Sequence, residues 1–337
     1  MDREKQDRHV LVIGGAGYIG SVLVARLLSS GYRVRVLDAF LYNNSSSIED
    51  LFKYKDFACV QGDFCDPGTT AESLEGISDV VLLASLVGDP ICKKHPDAAR
   101  RINQAGAIGL FDLLRDRKID RFVFLSTCSN YGLKEGDELA DEEASLNPQS
   151  LYAETKVAVE RHILENKDNG DFSPVILRLA TAFGLSRRMR FDLTISEFTR
   201  ELAQGRNLLV YDENTWRPYC HVDDISSAII RSLEYPAHKV RGQVYNVGSN
   251  AGNHTKKMIA EKIQEIAGGG RVSYKEGGFD PRNYRVSFDK IAANLDFKSS
   301  FTVERSIDIL VRAIRSGFFA HVEERGSFYG NYSIGEF

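Results

Sequence analysis

A tyrosine and a lysine provide the first candidate for acid–base chemistry in this chain. Tyr152 and Lys156 are four residues apart, which places both side chains on one face of a helix. A free tyrosine has a pKa of about 10 and is a weak base at neutral pH, but a neighbouring ammonium group favours the phenolate and lowers that pKa. The pair predicts an acid–base unit for a substrate hydroxyl; the alternative is an exposed helix face without chemistry.

A glycine-rich turn near the N-terminus predicts a dinucleotide site. Gly14, Gly17 and Gly20 have the spacing GxxGxxG between a predicted strand and a predicted helix. Glycines permit a tight turn and close approach of a pyrophosphate, and the helix N-terminus offers free N–H groups. Asp38 ends the second predicted strand, where a carboxylate accepts hydrogen bonds from ribose hydroxyls and repels a 2′-phosphate, so NAD is favoured over NADP. Asp63, after the third strand, is placed to reach the adenine, with a solvated loop aspartate as the alternative.

Hydroxyl side chains follow another apolar run. Residues 121–125 lead directly into Ser126, Thr127 and, after one cysteine, Ser129. Ligands of parallel α/β sheets bind at the carboxyl ends of the strands. These hydroxyls are therefore expected at the level of the cofactor, and together the three features are more specific than any one of them.

The elements that must position these residues alternate along the first half of the chain. Continuous apolar runs, typical of strands buried on both faces, occur at His9–Ile13, Tyr32–Leu37, Phe57–Val60, Asp79–Ala84, Arg121–Leu125 and Pro174–Leu179. Helical patterns occur between them at Ile19–Ser30, Pro96–Arg117 and Leu151–Glu165. The alternation predicts an α/β fold with a Rossmann-type doubly wound parallel sheet.

The rhythm changes after about residue 180. Residues 1–180 are expected to form an NAD-binding Rossmann domain, to which 222–248 return, and residues 181–337 a smaller mixed α/β region that binds substrate. The tail from Glu323 to Phe337 is predicted to be a loosely held surface segment.

Composition excludes several classes of protein. The 337 residues carry a net charge of −4, which gives no bulk attraction to nucleic acid or to an anionic membrane. No apolar run approaches the length of about 18 residues that a membrane span needs, and the charged N-terminus lacks the apolar centre of a signal peptide. The five cysteines form no CxxC pair. A cytoplasmic protein with reduced thiols and no metal site is expected.

With these motifs, the chain resembles the extended short-chain dehydrogenase/reductase family, the NAD-dependent nucleotide-sugar epimerases and dehydratases. The resemblance covers nearly the whole chain. Its motifs occur in the family order: Gly14–Gly20, Asp38, Gly62-Asp63, Leu83-Ala84-Ser85, Asn103 with Gly106, Ser126–Gly132, Tyr152–Lys156, Arg178, Arg217–Asp224 and Tyr245–Gly248.

The resemblance implies roles for individual residues. Tyr152 is the catalytic base, Lys156 holds the nicotinamide ribose and tunes Tyr152, and Thr127 hydrogen-bonds the reacting sugar oxygen. The implied NAD-binding residues are Gly14, Gly17, Tyr18, Ile19, Gly20, Asp38, Asp63, Phe64, Ala84, Ser85, Asn103 and Lys156.

A nucleotide-diphosphate sugar is the implied substrate. Arg217 binds its diphosphate in the family pattern, and Arg282 is a second candidate because a guanidinium group suits phosphate. The predicted substrate-binding residues are Ser129, Thr181, Arg190, Arg217 and Arg282. Arg187 and Arg188 are expected to join the three arginines of this set in a basic cluster. His221 is expected to cap a helix.

Two positions bear on the reaction. Dehydratases of the family carry an Asp-Glu pair directly after the threonine, whereas this chain has Cys128 and Ser129. A thiol is a poorer general acid than a carboxylic acid, and serine is a poor base, so 4,6-dehydration is disfavoured. Cys128 remains a candidate acid–base residue, with a small packed side chain as the alternative.

The expected function is that of an NAD-dependent nucleotide-sugar epimerase or 4-dehydrogenase that acts through a 4-keto sugar. A 4-keto reductase or a dehydratase is the alternative enzyme, and a non-catalytic dinucleotide-sensing module is the alternative outside catalysis. Family resemblance also implies a homodimer through a four-helix bundle that would use Pro96–Arg117 and Leu151–Glu165.

Overall fold

The strands of the computed structural model lie within residues 5–134, 138–278 and 282–334, which are the residues that the structure describes. In chain order they are β1 (His9–Ile13), β2 (Arg33–Asp38), β3 (Phe57–Gln61), β4 (Asp79–Leu82), β5 (Arg121–Thr127), β6 (Leu139–Ala140), β7 (Ser173–Leu179), β8 (Thr181–Phe183), β9 (Leu208–Tyr211), β10 (Trp216–His221), β11 (Gln243–Val247), β12 (Asn253–Thr255), β13 (Val272–Lys275) and β14 (Arg285–Val286).

Among these strands, seven form one central sheet in the order β11-β7-β5-β4-β1-β2-β3. Every neighbouring pair in it is parallel. The order reverses between β1 and β4, which creates the crevice where doubly wound sheets bind ligands. The predicted Rossmann-type sheet is confirmed, and β11 lies at one edge of it beside β7.

Helices cover both faces of this sheet and build the C-terminal region. They are α1 (Gly20–Ser29), α2 (Pro67–Ser73), α3 (Asp89–Lys94), α4 (Pro96–Ala99), α5 (Ala107–Leu113), α6 (Leu151–Glu165), α7 (Thr194–Ala203), α8 (Val222–Glu234), α9 (Ala237–Val240), α10 (Lys256–Ala267), α11 (Asp289–Leu295), α12 (Val303–Arg315) and α13 (Gly326–Tyr329). Within the described ranges, none of them combines the length and apolarity that a membrane crossing requires.

One predicted helix is interrupted. Instead of a single α-helix over Pro96–Arg117, α4 runs into a π-helical segment, Arg100–Gly106, which continues as α5. The π turn places Asn103 where its side chain bonds both backbone groups of Leu86, the N–H at 2.7 Å and the carbonyl at 3.0 Å. Gly106 packs so tightly on Cys65 that a Cβ there would lie 2.5 Å from the sulfur. These packing demands explain the interruption, which periodicity cannot reveal.

A separate apolar core holds the C-terminal region together. It lies between α7, α10 and α12 and the small strands β9 and β10, with Leu202, Ile259, Ile263 and Ile307 fully buried at its centre. His221 caps α8, as predicted, by accepting a hydrogen bond from the backbone N–H of Asp223. The cap and the core fix β10 against β8, so that both strands end beside the central crevice.

The tail contradicts the prediction of a loosely held segment. Phe328 is buried, and the backbone N–H of Phe191 donates to the carbonyl of Tyr329 at 2.8 Å. The rings of Phe191, Phe319 and Tyr329 pack together, with Phe319 edge-to-face against both of the others. Aromatic burial therefore anchors the described part of the tail against the loop before α7.

Candidate active site

A cavity of about 660 Å³ lies at the carboxyl ends of the central strands and is closed on its other side by the C-terminal region. Its walls contain most of the residues predicted for binding and catalysis. They are Gly14, Gly17, Tyr18, Ile19, Gly20, Asp38, Asp63, Phe64, Ala84, Ser85, Thr127, Ser129, Tyr152, Lys156, Thr181, Arg190, Arg217 and Arg282. The fold thus brings residues more than 250 positions apart to one cavity.

The glycine turn forms a cradle that side chains would fill. Gly14 has a φ of +85°, and a Cβ on it would lie 2.6 Å from the backbone nitrogen of Ala84. Gly17 and Gly20 line the same cavity, and α1 begins at Gly20. An open backbone surface at a helix N-terminus fits the pyrophosphate of a dinucleotide.

Asp38 is held in position by the turn that it faces. Its Oδ2 accepts a hydrogen bond from the backbone N–H of Ala16 at 2.9 Å, and its Oδ1 accepts one from Phe40 at 2.9 Å. Burial raises the pKa of the carboxyl, and these two backbone donors oppose that effect. Each carboxylate oxygen can accept a second hydrogen bond. The geometry fits recognition of a ribose diol.

Replacement of Asp38 by alanine is expected to weaken NAD binding by about tenfold to a hundredfold, since hydrogen bonds to a charged group contribute about 1.5–3 kcal/mol. NADP binding should weaken less, because the change also removes repulsion of the 2′-phosphate. Calorimetric titration of both dinucleotides checks this, with the exposed Asp97→Asn as control. An unchanged NAD-to-NADP affinity ratio would contradict the assignment.

Asp63 and Phe64 follow β3 and line the part of the cavity formed by the central sheet. Asp63 forms an ion pair with Arg101 at 2.6 Å and accepts a hydrogen bond from the backbone N–H of Cys65 at 2.9 Å. Asp63 is therefore fixed in orientation, and its role at the adenine stays a prediction.

Tyr152 and Lys156 occupy the first two turns of α6, which Ser150 caps by accepting from the N–H of Ala153. Lys156 is buried, and its Nζ donates to the carbonyl of Leu125 at 2.8 Å and lies 5.9 Å from the centroid of the Tyr152 ring. Burial raises the pKa of Tyr152, whereas burial lowers that of Lys156 to about 8. Desolvation thus dominates both groups, and the tuning of Tyr152 by Lys156 stays a prediction.

Thr127 and Ser129 stand at the end of β5, facing the same cavity. The Oγ1 of Thr127 accepts a hydrogen bond from the N–H of Ser129 at 3.1 Å, which leaves the hydroxyl hydrogen of Thr127 directed elsewhere. The Oγ of Ser129 lies 3.3 Å from the hydroxyl of Tyr284. The role of Thr127 as a donor to a ligand oxygen stays a prediction.

A buried ion pair supports this wall from behind. Glu160 on α6 and Arg178 on β7 are both almost fully buried, and Arg178 Nη2 donates to Glu160 Oε2 at 2.7 Å. Glu160 also accepts from Ser126 and from Asn130, and Arg178 donates to the hydroxyl of Tyr131 at 3.0 Å. The network ties α6 to β5 and β7 about two helical turns beyond Tyr152. Sequence reasoning missed Glu160.

The predicted basic cluster is brought together only in part. Arg187 is paired with Asp50 outside the cavity wall. Arg188 lines the cavity, but its Nη1 donates to Asn331 at 2.8 Å. Arg190 is buried and forms a two-bond pair with Asp192. Arg187 therefore lies apart from the other four arginines, whereas Arg188 and Arg190 share the cavity wall with Arg217 and Arg282, and their part in binding a diphosphate stays a prediction.

Arg217 and Arg282 lie together at the substrate end. The guanidinium of Arg217 stacks 5.3 Å from the centroid of the Tyr284 ring, and its Nη1 donates to the carbonyl of Trp216 at 2.6 Å. Arg282 lies 3.3 Å from a carboxylate oxygen of Asp89 and 3.4 Å from Ser129 Oγ. Two guanidinium groups on one cavity wall suit a diphosphate.

Two predicted site residues do not line the cavity. Asn103 is buried and bonds the backbone of Leu86, so it shapes the loop after β4. Cys128 is also buried, its thiol donates to the carbonyl of Arg178 at 3.3 Å, and burial raises its pKa. Contact with the cofactor was predicted for Asn103, and its burial behind the wall does not fit that prediction; for Cys128 the burial favours the alternative of a small packed side chain.

Several wall residues had no signal in the sequence. Tyr42 and Asp192 reach the cavity from loops, Asp89 reaches it from the first turn of α3, and Asn331 and Tyr332 reach it from the tail. Loop residues carry no periodicity, and the tail is distant from every motif. Only the position of Tyr42 shortly after β2 offered a hint.

The chain is similar to proteins that act on nucleotide sugars. It is 26% identical over 316 residues to UDP-glucose 4-epimerase of Corynebacterium glutamicum, in an alignment that covers 88% of this chain and 93% of that protein. Its fold matches UDP-glucuronic acid 4-epimerase from Bacillus cereus, solved with UDP-glucuronic acid and NAD, with a TM-score of 0.82 and 23% identity over 91% of this chain and 99% of that one. It also matches dTDP-glucose 4,6-dehydratase from Bacillus anthracis, solved with NAD, with a TM-score of 0.80 and 24% identity over 93% of this chain and 98% of that one.

A family description matches residues 10–248, which contain the glycine turn, Asp38, Thr127 and the Tyr152–Lys156 pair. The match spans most of the chain and confirms the predicted enzyme class and the predicted cofactor, NAD. The chain therefore belongs to the NAD dependent epimerase/dehydratase family.

Proposed function

We propose that this protein is an NAD-dependent nucleotide-sugar epimerase or 4-dehydrogenase that acts through a 4-keto sugar. The observation that carries the proposal is the convergence of Thr127, Tyr152 and Lys156 with the glycine turn and with Arg217 on one cavity. Relatives named as UDP-glucose 4-epimerase and UDP-glucuronic acid 4-epimerase support the same class of substrate.

Side chains of α6 and β5 are proposed to carry out the proton transfer at the sugar 4-hydroxyl. When bound, NAD supplies the hydride acceptor and the positive charge of its oxidised ring. Burial raises the pKa of Tyr152 and so disfavours its phenolate. Added positive charge beside the ring opposes this effect and favours the phenolate, which takes the proton of the sugar 4-hydroxyl. Thr127 donates a hydrogen bond to the reacting oxygen, and the buried ammonium of Lys156 holds the ribose beside it.

The diphosphate of the substrate would bind between Arg217 and Arg282. Arg282 lies beside Asp89 and Ser129, and Arg217 lies over Tyr284, so both side chains are oriented before a ligand arrives. Each guanidinium group can form bidentate hydrogen bonds with one phosphate group, so the pair of arginines suits a diphosphate.

Direct dehydration is disfavoured by the residues after Thr127. The Cys128 thiol is buried away from the cavity with a raised pKa, and Ser129 is a neutral hydroxyl hydrogen-bonded to its neighbours. Neither can protonate a leaving hydroxyl efficiently at neutral pH. The 4-keto sugar is therefore proposed to be reduced again or released.

We further propose the division of the chain into an NAD half and a substrate half, a homodimer and a cytoplasmic location. The central sheet and its return strand β11 support the division. The free cysteines support a reducing compartment. The side-by-side packing of α5 and α6 supports a four-helix interface between two copies; sedimentation equilibrium tests the dimer.

Incubation with separate UDP-, GDP-, dTDP- and CDP-sugars tests the proposal, read by mass spectrometry and by nicotinamide absorbance. Product of equal mass without NADH release indicates epimerisation, and loss of two hydrogens with NADH formation indicates dehydrogenation. Loss of water would contradict the interpretation of Cys128 and Ser129. Reduction of a keto sugar by added NADH alone would favour the reductase.

A further inference from the structure

The last described segment of the chain forms part of the cavity wall. We name residues 325–334 the clasp. It contains α13 and continues to Asn331 and Tyr332, both of which line the cavity. Asn331 is only 8% exposed although it lies close to the end of the described chain. A buried carboxamide must satisfy its hydrogen bonds, so its partners define what the clasp holds.

Two separate loops meet at Asn331. Its Oδ1 accepts from Arg188 at 2.8 Å, and its Nδ2 donates to the carbonyl of Val87 at 3.0 Å. Its backbone N–H donates to Asp192 at 3.3 Å. Val87 follows β4 in the dinucleotide half, whereas Arg188 and Asp192 belong to the loop before α7. Asn331 therefore joins the two sides of the cavity directly.

Arg188 extends this junction across the dinucleotide side. Its guanidinium lies 4.5 Å from the centroid of the Tyr42 ring, which follows β2. Its Nη2 donates to the carbonyls of Ser327 at 3.2 Å and Gly330 at 3.4 Å, so both of its terminal nitrogens bond the clasp. Burial lowers the pKa of Arg188 to about 10. The cation thus fastens the clasp and is not presented to solvent.

The glycine turn and Asp38 lie between the two anchor points. Tyr42 follows β2 and Val87 follows β4, while the turn joins β1, the strand between them, to α1. A dinucleotide seated on that turn would lie in the cavity that Asn331 and Tyr332 of the clasp also line. The clasp is held in this position by the hydrogen bonds of Asn331 and by the packing of Tyr329 against Phe191 and Phe319.

We propose that Asn331 is a positioning residue that keeps the cavity closed over NAD and makes release of the cofactor slow. This inference depends on NAD binding, which the family supports, and not on which sugar is converted. It assigns to the tail a part in retaining the cofactor rather than in catalysis. Because affinity differences among variants reside mainly in dissociation rates, release is the quantity to measure.

The experiment measures NAD release from the full-length protein without any sugar. Protein loaded with radiolabelled NAD is diluted into excess unlabelled NAD, and the bound label is followed over time. For Asn331→Ala we expect release about tenfold faster than in the wild type, since two side-chain hydrogen bonds of a buried group are lost. Glu324→Ala, an exposed change near the clasp, serves as the matched control and should release NAD at the wild-type rate.

A second variant separates the two anchors. Asn331→Asp still accepts from Arg188 but cannot donate to Val87, so intermediate release is expected. Thermal unfolding of each protein without NAD shows whether the variants are folded, and Asn331→Asp alone provides the comparison if Asn331→Ala does not fold. Wild-type release rates in a folded variant would overturn the proposal, as would equal acceleration in Glu324→Ala. Failure of the sugar panel would leave this measurement unaffected.

Discussion

Tyr152→Phe should reduce turnover by about 10²–10⁴-fold while NAD remains bound. The change deletes only the hydroxyl oxygen that is proposed to take the proton of the sugar, and general base catalysis contributes about that much. The aromatic ring of residue 152 is kept, so its packing against the adjacent hydrophobic core is preserved. The measurement combines turnover with the amount of NAD bound, read on the sugar that the panel identifies.

Tyr211→Phe provides the matched control, since Tyr211 is 40% exposed on β9 and does not line the cavity. It should retain wild-type turnover. A Tyr152→Phe variant that works within a few-fold of the wild type would remove Tyr152 from the role of base. A variant that has lost NAD would show instead that the hydroxyl serves binding.

Glu160→Ala should lower the free energy of unfolding by about 3–5 kcal/mol, because it leaves the buried guanidinium of Arg178 without its countercharge. Glu160 is 2% exposed and Arg178 4% exposed, so water cannot replace the lost partner. The hydrogen bonds to Ser126 and Asn130 are lost as well. Urea denaturation followed by two spectroscopic probes measures the effect.

Asp308→Ala is the matched comparison, because Asp308 pairs with Arg312 on the exposed surface of α12. Such a pair contributes at most about 1 kcal/mol. The double variant Glu160→Leu with Arg178→Met should recover part of the lost stability, since an apolar pair needs no countercharge. Equal losses in Glu160→Ala and Asp308→Ala would contradict the structural role of the buried pair.

Local chemistry explains what the sequence predicted well. Gly14 must be glycine because a Cβ on it would collide with the backbone of Ala84. The three glycines of the turn lie within seven residues of sequence, so the motif can be recognised locally. The buried strands are equally local, and β1 begins and ends at the residues predicted for it. The bounds of α6 agree in the same way, because Ser150 caps its first turn.

Long-range pairing explains what the sequence could not supply. Arg188 and Asn331 are 143 residues apart, and nothing local to either indicates that they form a hydrogen bond. The basic run at 187–190 therefore resembled a phosphate site, although each arginine in it has a partner within the protein. Cys128 was similarly ambiguous, since only the tertiary structure turns its thiol away from the cavity.

Transfer of the hydrogen at C4 of the sugar is the central claim, and a C4-deuterated form of the substrate tests it most directly. After turnover, the position of the deuterium is read by NMR and mass spectrometry. The account predicts deuterium at C4 of an epimerised product, or on the nicotinamide ring if the 4-keto sugar is released. Conversion with deuterium still at C4 in its original configuration, and a change at another carbon, would contradict the account.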